Sequence, residues 1–156
     1  RHLEQRRPGE RRLGTVSAND LDFSYRTSNL DAGDIVIDVV MQGQEGAPAD
    51  IEARMQTIST QRMQSQPVRL RTGGSTFKNP PGDKSAWALI DAVGGRGLRI
   101  GGAMVSEKHC NFLINTDGCS AADLFALGSL LRQRVFDEFG ITLEWEIHTL
   151  GFDGHS

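Results

Sequence analysis

CNFLINTDGCSAADLFALGSLLRQRVFDEFG, residues 110–140, contains a short apolar run followed by a longer periodic one, and their reading decides the fold. CNFLIN (110–115) is too short for a helix and rich in β-prone side chains, which predicts a buried strand. Beyond a turn, Ser120 stands three residues ahead of Asp123, the spacing of a helix start in which side chain and backbone cap each other. Leu124, Leu127, Leu131 and Val135 then recur at steps of three and four up to Gly140, which predicts the longest helix of the chain. The mixture of separated strands and helices along the chain favours α+β over a doubly wound sheet.

Working outward, residues 142–150 (TLEWEIHTL) alternate: Leu143, Trp145 and Ile147 point one way and Glu144, Glu146 and His148 the other. Residues 34–42 (DIVIDVVMQ) carry Ile35, Ile37, Val39 and Met41 on one face and Val36 and Val40 on the other, which predicts a strand covered on both sides. Residues 48–66 place Ile51, Met55 and Ile58 at helical steps, so an amphipathic helix is expected there, ended by Pro67. The three Gly and two Pro of residues 71–82 predict an irregular loop. A short helix opened by Asp83 is expected next, with Trp87, Ile90 and Val93 on one face and Gly94 and Gly95 closing it.

The composition excludes several classes. The chain has 156 residues, 38% apolar and 24% charged, which describes a globular domain rather than a disordered or fibrous one. No apolar run approaches the roughly 20 residues of a membrane helix, so no membrane insertion is expected. Seventeen basic against twenty acidic groups give a net charge of −3, so no nucleic-acid partner relying on phosphate attraction is expected. Cys110 and Cys119 fit no zinc spacing and predict inert thiols in a reducing cytoplasm, and no metal site is expected. Residues 1–14 hold five Arg against two Glu and no initiator Met, which suggests a solvated basic lead on a chain cut from a longer one.

Three features are able to carry chemistry. In GGSTFKNP (73–80) the glycines let a ligand approach the backbone, Ser75 offers a donatable proton, and Lys78 and Asn79 suit anionic or carbonyl oxygens. A structural turn between two parts of the protein fits the same residues. In residues 94–115 two glycine pairs flank Arg96 and Arg99, and His109 stands at the polar entry to the strand. Those glycines follow a helix rather than a strand, so turns suit them better than a nucleotide fingerprint. Glu144 and Glu146 share a face about 7 Å apart, which suits acid/base work if that face lines a pocket and means little if it is solvated. In FSYR (23–26), Arg26 beside Tyr25 has the pattern of a surface cation–π contact.

GGSTFKNP, AWALIDAVGGRGLRIGGAMVSEKHCNFLIN, LEWEIHTLG and, well upstream, FSYRTS occur in an order that resembles the C-terminal part of the UDP-N-acetylenolpyruvoylglucosamine reductase (MurB) family, over residues 17–151. The SEKHCNF form resembles the branch with a shorter substrate domain. The resemblance implies a cytoplasmic flavoenzyme of peptidoglycan synthesis, serving cell-wall growth, shape and division. In it NADPH reduces FAD, and the flavin reduces UDP-N-acetylglucosamine enolpyruvate to UDP-N-acetylmuramate. It further implies Ser75 as proton donor, Arg26 as the group engaging the substrate carboxylate, Glu146 as the catalytic carboxyl, and Lys78, Asn79 and His109 as substrate-binding positions.

The family's glycine-rich FAD motifs, a GSN-type turn and a GxPGxxGGA-type segment, do not occur in this sequence, and cofactor-binding residues remain unassigned. The resemblance therefore implies residues 1–42 as the trailing part of an FAD domain, 43–70 as a connecting helix and linker, and 71–156 as the substrate-binding domain. Weak flavin retention and no turnover are expected of these residues alone. A UDP-sugar-binding module without catalysis is the other function class that the same motifs allow.

Overall fold

A computed structural model describes residues 13–31 and 33–151, so the basic lead up to residue 12 lies outside the described residues. The chain divides into two compact units, Arg1–Glu45 and Gly46–Ser156.

In the first unit Ser17 caps a single 3-10 turn, Ala18–Asp20, its hydroxyl oxygen accepting from the Asn19 amide at 3.3 Å. Ser24 and Thr27 then exchange backbone bonds of 3.1 and 3.2 Å, which folds FSYRTS into a tight turn with Tyr25 and Arg26 at its tip. The strand expected over residues 34–42 is not present. Ile35, Ile37, Val39, Val40 and Met41 are all exposed, and the segment takes no strand conformation among the described residues. A strand is a pairing and not a property of one segment, so alternation without a partner leaves extended chain.

The second unit is α+β. It contains α1 (Pro48–Ser65), β1 (Thr72–Ser75), α2 (Ala86–Ala92), β2 (Arg99–Ile100), β3 (Ala103–Val105), β4 (Phe112–Asn115) and α3 (Ala121–Phe139). The four strands form one antiparallel sheet in the order β1-β4-β3-β2. The expected loop over residues 71–82 thus begins as an edge strand. β1 pairs Thr72 with Ile114 and Ser75 with Phe112, and the register shifts between these pairs. Gly74, with φ +92°, supplies the backbone shape that such a bulge requires. At the other edge Gly101 and Gly102 turn β2 into β3. A Cβ on Gly102 would lie 2.4 Å from the Cys119 backbone, so only glycine lets this hairpin sit against the start of α3.

Ala103, Val105 and Leu113 face the helices, where Leu127, Leu131 and Val135 of α3 and Leu89 and Ile90 of α2 close over them. Each Val, Leu or Ile among them contributes about 1.5–3 kcal/mol by leaving water. α3 begins as its sequence predicts. The Ser120 hydroxyl accepts from the Asp123 amide at 3.1 Å, and the Asp123 carboxylate accepts from the Ser120 amide at 2.9 Å. Gly140 ends it. Gly128 lies inside this helix, where glycine costs about 0.5–1 kcal/mol against alanine.

α2 starts at Ala86 and not at Asp83, because Asn79 reaches back to accept the Ala86 amide at 2.9 Å. Its exit follows the expectation. Gly94 donates to Asp91 and Gly95 to Ile90, the paired bonds of a glycine-terminated helix. Of the face expected for α2, Ile90 is buried and Val93 packs against the core, whereas Trp87 is 43% exposed; Ala86 and Leu89 complete the buried side. α1 forms where expected and buries none of its residues.

Candidate active site

Beyond Ser75 the chain runs on between two supports. On one side the Thr76 amide donates to the Asn111 carbonyl at 2.7 Å. The Asn111 side chain then clasps Phe77, accepting its amide at 3.0 Å and donating to its carbonyl at 2.8 Å. On the other side the Glu146 amide donates to Thr76 and the Lys78 amide to Glu144, each at 2.9 Å, around the pairing of Phe77 with Trp145. The strand expected over residues 142–150 is therefore a single bridge with its flanking bonds. The facing is as expected: Leu143 is buried, Trp145 and Ile147 are partly buried, and Glu144 and His148 are exposed.

This pairing brings three of the sequence-selected residues onto adjoining strips. Ser75 and Glu146 are both half-buried, and Glu146 stands opposite Thr76, the residue after Ser75. Lys78 places its ammonium 3.4 Å from the Glu144 carboxylate, an exposed pair that adds little stability and sets a cation beside the strip. Asn79 is tied to the first turn of α2 through its side-chain oxygen.

His109 lies in the loop before β4. Its ring is 6.1 Å from Trp87 and 4.8 Å from Phe112, and burial lowers its pKa below the ordinary histidine value. Nδ1 accepts from the Asn111 amide at 3.3 Å, so in the neutral ring Nε2 carries the proton and is a donor. The loop is held from beneath. Ser106 Oγ accepts from the Lys108 and His109 amides at 3.1 and 3.2 Å, and Arg96 Nη1 donates to the Glu107 carbonyl. Arg96 also forks onto Asp91 at 2.9 and 2.7 Å and holds that carboxyl below the usual range. Arg96 is thus a strut between α2 and the loop.

Burial pushes the Cys110 thiol up to about 11, in keeping with an inert cysteine. Among the described residues no group of three or more His, Cys, Asp or Glu is placed to hold a metal ion. A cleft of about 470 Å³, lined by Met63, Pro67, Arg69, Met104, Lys108 and Ile114 among others, includes neither Ser75 nor Glu146. No described helix is long and apolar enough to cross a membrane.

Arg26 belongs to the first unit. It is exposed at the tip of its turn, 5.7 Å above the Tyr25 ring as the sequence suggests, and its φ of +58° is unusual for a residue with a side chain. The sequence reading passed over Asn111, although a polar residue inside an apolar run must find partners when buried, and that signal was present.

Residues 66–150 match the model of the UDP-N-acetylenolpyruvoylglucosamine reductase C-terminal domain family. The chain belongs to this family. Among curated members, the UDP-N-acetylenolpyruvoylglucosamine reductase of Sphingopyxis alaskensis is 54% identical over 145 residues, 93% of this chain and 48% of the relative. That of Erythrobacter litoralis is 53% identical over 137 residues, 88% and 42%. A crystal structure of the Thermus caldophilus reductase (MurB) superposes with a TM-score of 0.68 at 41% identity, covering 82% of this chain and 46% of that one. The chain thus spans about half the length of the reductases it matches, and its α+β fold is that of the family.

Proposed function

We propose that this chain carries the substrate side of a UDP-N-acetylenolpyruvoylglucosamine reductase. The reaction would be the reduction of UDP-N-acetylglucosamine enolpyruvate to UDP-N-acetylmuramate in peptidoglycan synthesis, with FAD and NADPH as electron carriers, in the cytoplasm. The observation that supports this reading is the pairing of residues 76–78 with 144–146, in which Glu146 stands opposite Thr76, the residue that follows Ser75.

Reducing a vinyl ether needs a hydride at one carbon and a proton at the other, and the residues of this chain are assigned to the proton. Ser75 donates it from Oγ to the carbon bearing the carboxylate. A serine hydroxyl is a weak acid, so the step depends on carbanion or enolate character at that carbon and on nearby groups that tolerate a transient alkoxide. Arg26 engages the carboxylate with a fork of donors. Glu146 is assigned as the catalytic carboxyl of this step. Lys78, Asn79 and the Nε2–H of His109 are assigned to the nucleotide sugar.

FAD needs a cradle of backbone amides for its diphosphate. The glycine pairs that resemble one are committed elsewhere: Gly95 donates to Ile90, and Gly102 donates to Asp123 at 3.3 Å. These glycine pairs therefore offer no cradle for the flavin diphosphate, and residues 1–156 alone are expected to purify without a flavin absorption band.

The assignment is tested by half-reactions in a flavin-loaded reductase containing this domain. Ser75→Ala should slow flavin reoxidation by the enolpyruvyl substrate by roughly 10²–10⁴-fold, the range of a lost general acid, while flavin reduction by NADPH stays within about twofold. Equal loss in both half-reactions would remove Ser75 from the protonation step.

A further inference from the structure

Glu146 follows Trp145, and Trp145 is held on several sides. Its ring lies 4.8 Å from Phe77, stacks at 5.6 Å and 13° on Phe125, and has the Arg132 guanidinium at 5.7 Å. What receives its edge is Gly128 of α3. A Cβ at that position would come within 2.2 Å of Trp145 Cη2 and 2.6 Å of Cζ3, closer than any real contact. Gly128 is buried in mid-helix and has no turn or cap to make, so the ring is the feature that accounts for a glycine in a helix otherwise built of good formers. The backbone on either side is pinned as well: Arg132 Nε donates to the Leu143 carbonyl at 2.8 Å, and Leu143 is fully buried.

We infer that Gly128 and Trp145 form a notch and wedge by which α3 positions Glu146 against Thr76, the residue that follows Ser75. Side chains alternate along an extended segment, so the depth to which the Trp145 ring enters the notch sets where the next carboxyl is presented on the opposite face. Gly128 and Trp145 are positioning residues, acting through the backbone that joins Glu146 to Thr76. The functional meaning of the device rests on the role proposed above for Glu146, whereas its mechanical claim can fail separately.

Amide hydrogen exchange on this chain tests it. Gly128→Ala should speed exchange at the Glu146 and Lys78 amides, bonded across the bridge, by at least about tenfold. The Thr76 and Phe77 amides, bonded to Asn111, should change by less than about threefold. The Trp145 indole resonance should move. Adding Trp145→Phe to Gly128→Ala should return the Glu146 rate most of the way, because the smaller ring accommodates the new methyl. Acceleration of all four amides alike, or an unchanged Glu146 rate, would overturn the inference. Should Gly128→Ala fail to fold, Trp145→Phe alone decides: selective acceleration at Glu146 and Lys78 supports the wedge, and uniform or absent change overturns it. Failure of the reductase assignment, seen as normal flavin reoxidation in Ser75→Ala, would leave these rates untouched.

Discussion

α1 and α3 have 18 and 19 residues and similar apolar spacing, yet they are held by different forces. α3 buries Leu127, Leu131 and Val135 under the sheet and opens with a reciprocal cap. α1 buries nothing. Met55 and Ile58 are 65% and 60% exposed, and Ala47 at its start offers no side-chain cap. What favours α1 is mostly local: a proline in its first turn, and Asp50 near the positive end of the helix dipole, which contributes about 0.3–1 kcal/mol, with one long-range bond from Lys108 Nζ to the Met63 carbonyl at 2.8 Å. Thr57 and Ser65 bond back to Ala53 and Gln61, a habit that slightly weakens a helix. An apolar stripe becomes structural only where a second surface closes on it, and in water a helix of this length without one is marginal.

Truncating the stripe of α3 should break it. Leu131→Ala is expected to cost about 2–5 kcal/mol, read as a lower urea midpoint with little change in slope; a loss under about 1 kcal/mol would mean that α3 does not depend on the sheet. Removing the cap is a smaller insult, and Ser120→Ala should cost about 1 kcal/mol on the same measurement. Acid should loosen α3 through Asp123, whose pKa is lowered chiefly by the Ser120 amide and next by that of Gly102. A depressed carboxyl contributes stability that is complete above its unfolded value, near 3.9, and is lost as pH falls through the lower folded value. Asp123→Asn should accordingly flatten the acid limb of a stability-against-pH curve below about pH 4. Smallest is α1, where Ile58→Ser should shift stability by no more than about 0.5 kcal/mol. A larger change would show that its apolar face is covered in solution.

The same contrast explains what could be read from the sequence. α3 was legible because Ser120, Asp123 and the leucine stripe are local signals that tertiary packing then confirmed. The CNFLIN strand was legible because its side chains had to be buried somewhere. Residues 34–42 carried an equally strong alternation, but pairing is non-local and nothing in the segment reports whether a partner exists. β1 was missed for the opposite reason: TGGS has no apolar alternation, and it is a strand because β4 lies beside it. At the candidate site Ser75 and Glu146 stood out by resemblance and by type, whereas the device that seats them involves Asn111, Gly128 and Trp145. A glycine inside a good helix is the legible trace of that device.

The Asn111 clasp on Phe77 bears on how tolerant this region is of genetic change. Elsewhere the path of the sheet is written in bonds between main chains, which survive most replacements because every residue except proline has the same amide. At Phe77 both main-chain groups are read by one side chain. That stretch of backbone, two residues from the proposed proton donor, therefore owes part of its course to the identity of a single amino acid. Asp in its place would keep the shape and lose the donor, Gln would keep the donor and overreach, and Leu would leave two buried polar groups without partners. The segment that the reaction is proposed to use thus carries a sensitivity to mutation that main-chain pairing alone does not.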